Sequence, residues 1–339
     1  MTVRNRILIL LSAVAVLVAV GVASVLHASA RADRRDHTQA GGPKVIAGKV
    51  TLTGHGRMVF RTLAWGPHRD ELVTVPVADP AGPRTASGVK CLRFHAASGT
   101  GVCLQAVHGP VSDTYRALVL DSRLRTRDRY DVPGIPSRAR VSPTGHFAAW
   151  TAFVGGDSYA GTDFSTRTAI VDTRTGELIP SLEAFRIVRD GHPYRAADAN
   201  FWGVTFAPDD RTFYATLATG GRTHLVRGDL RTRTVTTLHE NVECPSLSPD
   251  GTRIAYKKRV KGLPKDAPWH LYVLDLHTLR ETALDESRSV DDQVVWRDDH
   301  TLVYALPGDY GADLYTVPAN GSGLPHRLLS AGVSAAFLD

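Results

Sequence analysis

Three segments hold most of the side chains able to do chemistry. "RAADANFWG" (195–203) carries Asp198, Asn200 and Trp202, "HENVEC" (239–244) carries Asn241 and Glu243, and "SRSVDDQ" (287–293) carries Asp291, Asp292 and Gln293. Carboxylates and amides at this spacing are hard oxygen donors of the kind Ca²⁺ or Mg²⁺ takes. They equally suit a polar ligand or a peptide terminus. Two further segments add contact groups: "GGDSYAGTDFST" (155–166) with Tyr159, and "KKRVKGLPK" (257–265) with Lys257, Lys258 and Arg259. The plainer alternative is a solvated face on which these carboxylates pair with nearby Lys and Arg, each pair worth little. The basic cluster has two readings as well: contact with anionic head groups or acidic polymer, or a soluble loop whose first residues finish a strand.

Covalent chemistry has weaker support. "GGDSYAG" approximates a Gly-x-Ser-x-Gly elbow around Ser158, with Ala160 in the last position. An elbow requires a strand–turn–helix context in an α/β domain, and the chain has no such pattern. No His-Glu-x-x-His, phosphate-binding loop or dinucleotide fingerprint occurs, and the 14 His are scattered without ligand spacing. No catalytic residue is assigned, no enzyme activity is expected, and no cofactor is expected beyond the Ca²⁺ or Mg²⁺ that the acidic segments would suit.

Charge excludes one class of partner. The net charge is +6, yet residues 1–50 carry +5 of it and the remainder is close to neutral. A nucleic-acid footprint needs a net basic excess or a clustered basic face, so no nucleic acid is expected. The same N-terminal region holds "MTVRNR", then an uncharged stretch over residues 7–26, then "ASA" at 28–30. That is the form of an export signal, and the apolar stretch also suffices to span a bilayer. Residues 1–30 therefore read as a signal peptide or an uncleaved membrane anchor, residues 31–44 as a polar linker, and the body as exported, either secreted or membrane-anchored.

Of three cysteines, Cys91 and Cys103 flank "LRFHAASGTGV". A hairpin centred near Ala97 or Ser98 would set them on neighbouring strands, facing away from Leu92, Phe94, Val102 and Leu104. An oxidising compartment permits a disulfide there; two small buried hydrophobes are the alternative. Cys244 has no evident partner.

The elements that must position these groups are strands. Short apolar runs bounded by Gly, Pro, Asp and Asn fill the body, and no long amphipathic helix is evident; "ELIPSLEAFRIVRDG" has room for one helical turn or two. One hairpin recurs. It appears as "ARVSPTGHFAAWTAF" from Ala139, "GVTFAPDDRTFYATL" from Gly203, "CPSLSPDGTRIAYKK" from Cys244 and "QVVWRDDHTLVYAL" from Gln293, with a weaker copy from Lys90 and a half copy from Gly56. Each is followed by a second pair of strands. Four strands per unit of about 40–50 residues is the pattern of a propeller blade. Six units are present, giving an all-β, six-bladed propeller of four-stranded blades over 45–339, preceded by the N-terminal helix. "SAGVSAAFLD" at the end supplies the opening strand that the first unit lacks, so residues 333–337 are expected beside a strand of that unit, closing the ring.

"LSPDGTRIAY" followed by "LYVLDL", and the terminal "DLYTVPANGSGLPHRLL", resemble the WD-like repeats of TolB-like β-propellers, in which "SPDG" joins the first two strands of a blade. "APDD" and "WRDD" lack the turn Gly in two copies. The resemblance implies an interaction scaffold. In such a ring the segments entering the first strands share one face and the SPDG turns lie on the other. Asp198, Asn200, Asn241, Glu243, Asp291, Asp292 and Gln293 then lie near the axis, with the segment of Lys257, Lys258 and Arg259 on the same face; Tyr159 and Trp202 would add contact surface, with the core as the plainer place for Trp202. The expected function is an extracytoplasmic scaffold that binds a protein, peptide or cell-envelope component through this strand-entry face. The alternative is a metal-dependent hydrolase or lyase using the central acidic groups.

Overall fold

A computed structural model describes residues 3–38, 41–109, 112–156 and 164–338 of the chain. Six sheets, antiparallel apart from one added strand in each of two blades, stand around an axis, each with one strand innermost. The innermost strands are Gly332–Leu338, Arg93–Ala97, Ile135–Val141, Asn200–Phe206, Glu243–Leu247 and Val295–Trp296, for blades one to six. Each adjoins the next blade around the ring, and blade six returns to blade one. Gly332–Leu338 pairs antiparallel with Arg57–Thr62, matching Val333 with Arg61 and Leu338 with Arg57. The last strand therefore closes the first blade and leaves no free inner edge there.

Blades are apolar on both faces because each is packed between two neighbours. Thr212–Thr219, in the middle of blade four, is buried at seven of its eight positions. Each of the six blade–blade interfaces holds its own core. Between blades one and two it contains Leu72, Phe94, Cys103 and Leu118, between three and four Ile170, Phe201 and Phe213, and between five and six Leu271, Val290 and Tyr304. Fully burying one such large apolar side chain is worth about 1.5–3 kcal/mol. Gly203 is required where blades four and five meet. It has φ 65°, and a Cβ there would lie 2.7 Å from the Cys244 Cα.

The turns follow their chemistry. Gly251 in "SPDG" has φ 73°, and the Asp250 carboxylate accepts the Thr252 amide at 2.9 Å. Where Gly is missing from "APDD", Asp210 itself takes φ 53°. Its carboxylate then reaches the preceding blade, meeting His146 Nδ1 and Thr144 Oγ1 at 2.5 Å each. In "WRDD", Asp299 accepts the Asp250 amide of the preceding blade at 2.9 Å. The two departures from the repeat thus act as inter-blade contacts.

Several expectations change in detail. Residues 31–44 are not linker throughout, because the N-terminal helix runs over Val3–Asp36 and ends on Arg34 and Arg35, where basic charge complements the helix dipole. The segment after Glu177 forms a single 3₁₀ turn, Leu182–Ala184, and then strands rather than further helix. Arg186–Arg189 adds parallel to Thr234–Glu240 and pairs with His192–Tyr194, so blade four has six strands. Blade one has five, since Val45–Ala47 adds parallel to Arg84–Lys90.

Cys91 and Cys103 are joined in a disulfide, and Cys244 is free and buried. The hairpin around them turns at Ser98 and Gly99, both at positive φ, so Phe94 rather than Cys91 stands opposite Cys103. Phe94 therefore shares the face of both cysteines instead of opposing them.

Candidate functional site

Alternate residues of an innermost strand point to the axis. In blade two these are Arg93 and His95, and in blade three Arg138 and Arg140. Both pairs have a spacing of two, and both lie in strands whose other positions are mostly apolar or small. Opposite them, the segment entering blade six brings Asp291, Asp292 and Gln293, and blade five brings Glu243 and Lys257.

The result is an ion network that crosses the axis. Lys257 and Glu243 have no exposed side-chain surface, and the ammonium lies 3.7 Å from the Glu243 carboxylate. Lys257 also contacts Asp291, which Arg138 of blade three reaches at 3.2 Å. Glu243 accepts from Arg259 Nε at 2.7 Å and from the Trp269 indole at 3.1 Å. The Trp269 ring lies 3.9 Å beneath the Lys257 ammonium, close enough for a cation–π contact. Burial raises the Asp291 pKa, but the charges of Lys257 and Arg138 outweigh it and hold the carboxyl below its ordinary value. Gln293 donates to the carbonyls of Val204 in blade four and Pro245 in blade five.

The remaining expected residues are bonded within blade walls. Asp198 accepts from Thr219 and the Gly220 amide at the exposed tip of blade four. Asn200 fastens Ser165 and Thr166 of blade three. Asn241, at φ 58°, exchanges two hydrogen bonds with the Arg259 backbone. Trp202 is core, packed with Phe153, Cys244 and Trp269. Lys258 points to the opposite side of its strand from Lys257 and meets Glu281, which also binds Tyr256 and His239. Lys257 to Arg259 are strand residues, so the basic cluster finishes a strand and residues 260–265 run on as loop, as expected. Tyr159 and Ser158 lie outside the described residues.

Among the described residues, no three His, Cys, Asp or Glu side chains converge as a metal site would require. Asp291 is occupied by cations, and Asp292 accepts the amides of Gln293 and Ala305.

Arg93, His95, Arg138 and Arg140 belong to no catalytic or binding motif in the sequence. The available signal was charge inside a strand that the ring must bury. These residues line two axial cavities. One, of about 40 Å³, lies on the entry side beside Arg93, Arg138 and Gln293. The other, of about 270 Å³, is a funnel among the SPDG-type turns, and all six blades contribute to its wall. His95, Arg140 and Val295 border both. The funnel wall mixes apolar groups such as Phe206, Trp296 and Phe337 with hydroxyls such as Thr205 and Ser248, with Arg297 at the rim and no Asp or Glu among its described lining residues.

Arg140 is 7% exposed and bonds to the Val294 carbonyl at 3.1 Å and, more weakly, to Ser246 Oγ at 3.4 Å. Its Nε has no partner among the described residues. Burial lowers its pKa to about 10 against the opposing charge of Asp292, so it remains a cation. His95 is held neutral: burial first, and then the Arg140 charge, push its pKa well below 6.5.

Comparison with solved structures follows from this geometry. TolB from Acinetobacter baumannii superposes with a TM-score of 0.51 at 16% identity, covering 83% of this chain and 66% of that chain. In fold the chain is a β-propeller similar to that of TolB. The match spans just under two thirds of the A. baumannii TolB chain. A nidogen/laminin complex matches with a TM-score of 0.52 at 9% identity, covering 84% of this chain and 98% of that one. No protein-family model matches this TolB-like chain, and no curated protein sequence matches it.

Two outcomes follow. Lys257→Ala leaves Glu243 buried without its ammonium, and the urea midpoint should fall by the equivalent of about 3–5 kcal/mol. Adding Glu243→Gln should recover part of the loss, whereas a change under about 1 kcal/mol would make the pair no stronger than a surface one. For His95, the unfolded chain takes up a proton below about pH 6.5 while the folded protein does not. Stability should therefore fall as pH drops from about 7 to 5, and melting curves of His95→Gln should show a flatter dependence; an unchanged slope would contradict this.

Proposed function

We propose that the protein is a non-enzymatic binding scaffold that receives a protein or peptide partner over its axial funnel. The observation that carries this reading is the funnel itself: one concave surface to which every blade contributes, with walls of mixed polar and apolar groups, cationic groups at floor and rim, and no acid among its described lining residues. Fixed polar groups set beside apolar contact surface are what orient a ligand in a recognition site. A ring closed by its own last strand holds such a wall rigid, which limits the entropy lost on binding. The nidogen/laminin complex indicates that this architecture accommodates a protein partner.

The entry-face carboxylates contribute differently. Glu243 is committed to cations inside the protein, and Asp291, though its side chain is 44% exposed, is paired with Lys257 and Arg138, so their replacement would damage the ring before it reported on binding. For this reason the funnel, on the opposite face, carries the proposal.

The body is proposed to lie outside the cytoplasm, attached through Val3–Asp36 or released from it. This helix is long and apolar enough to cross a membrane, and the disulfide is at home in an oxidising compartment.

Site-specific photo-crosslinking in intact cells tests the reading. A photoreactive residue at Arg297, on the funnel rim, should give one discrete adduct that is absent when the probe is placed at exposed His192, in the outermost strand of blade four. Adducts from Asp198 instead of Arg297 would move binding to the strand-entry face. No adduct from either position would defeat the scaffold reading.

A further inference from the structure

The floor of the funnel has one hydrogen-bond donor too many. The Val141 amide, which can only donate, points at His95 Nδ1 at 3.1 Å. That nitrogen must therefore be the bare one, and a neutral imidazole then carries its proton on Nε2. Nε2 lies 3.1 Å from Arg140 Nη1, and a guanidinium nitrogen also only donates. Two donors thus face each other at the boundary of the two cavities. The other tautomer moves the conflict to Val141 without removing it. Protonating the ring worsens it, because a cation would then stand beside Arg140.

The surroundings offer no internal relief. The oxygens of Asp292, whose charge acts on Arg140, each accept a backbone amide and make no hydrogen bond to the guanidinium among the described residues. Ser246 Oγ is only a distant acceptor for Arg140. Arg140 Nε lacks a partner among the described residues. A buried cation whose donors are unmatched is costly, and an acceptor shared by Arg140 and His95 would answer both deficits.

We propose that His95 and Arg140 form a seat for a carboxylate, carried by a peptide segment that enters the funnel from the SPDG-turn face. One carboxylate oxygen accepts from His95 Nε2–H and the other from Arg140, while Arg297 at the rim meets the charge on its way in. The apolar wall of Phe206, Trp296 and Phe337 receives the aliphatic part of the segment. The inference rests on the scaffold reading and specifies the chemistry of the partner.

The test uses the intact protein with ¹⁵N-labelled imidazoles. The free protein should show His95 as the Nε2–H tautomer. N-acetyl-leucine presents a chain-terminal carboxylate, N-acetylglutamate α-amide a side-chain carboxylate, and N-acetyl-leucinamide neither. At least one carboxylate should shift the His95 Nε2 resonance saturably. The amide should bind about tenfold more weakly or worse, as expected for losing a charged hydrogen bond. The tighter of the two carboxylates identifies a terminus or an acidic side chain as the natural group. Arg297→Gln, exposed and remote from the core, should weaken binding several-fold without altering the tautomer. Equal binding of the amide, an equal response to chloride at matched ionic strength, or no shift with either carboxylate at millimolar concentration would overturn the seat. These results are separable from failure of the scaffold reading. Rim crosslinking that persists without carboxylate binding removes the seat alone, and carboxylate binding without any crosslinked partner removes the scaffold alone.

Discussion

Charge buried on the axis constrains the rest of the ring. Six inner strands converge there, and a cation or carboxylate on any of them leaves water when the ring closes. Such a group is tolerated only where an opposite charge or a set of hydrogen bonds meets it. Some partners lie in the same blade, as Lys257, Arg259 and Trp269 do for Glu243, and others come from across the ring. Arg138 of blade three reaches Asp291 at the entry to blade six, Lys257 of blade five reaches the same carboxylate, and Gln293 ties blades four and five. These contacts exist only when the ring is complete, which the pairing of Gly332–Leu338 with Arg57–Thr62 ensures.

At the opposite end of the inner strands, the turns repeat the same solution on a smaller scale. A standard "SPDG" turn satisfies itself, with Asp250 bonding within its own loop. Where the sequence departs from it, the displaced carboxylates of Asp210 and Asp299 bond to the neighbouring blade. The turns are therefore both blade hinges and inter-blade contacts, and the funnel they surround inherits a fixed shape.

The architecture was legible because its signals are local and repeated. A hairpin turn, two apolar runs and a second strand pair recur often enough to count blades, and the unpaired last strand announced the closure. The added strands at Val45–Ala47 and Arg186–Arg189 were not legible, since both join the outer edges of blades in parallel, a pairing with no turn to signal it. The register around Phe94 depended on the tip at Ser98 and Gly99, which composition alone did not fix. The acidic side chains were found, but their role was not. Whether Asp291 meets a metal or an ammonium depends on Lys257 and Arg138, 34 and 153 residues away in the chain. The cations of the axis, Arg138 and Arg140 above all, are visible in "IPSRARV" only once that strand is known to be innermost.

The central claim is that axial charge couples blades that share no strand pairing. Hydrogen exchange on the intact protein, with and without Lys257→Ala, tests it most directly. The account predicts faster amide exchange not only in Glu243–Leu247 of the altered blade but also across the axis in Ile135–Val141, whose Arg138 shares Asp291 with Lys257. Acceleration confined to blade five and its immediate neighbours, with Ile135–Val141 unchanged, would contradict it.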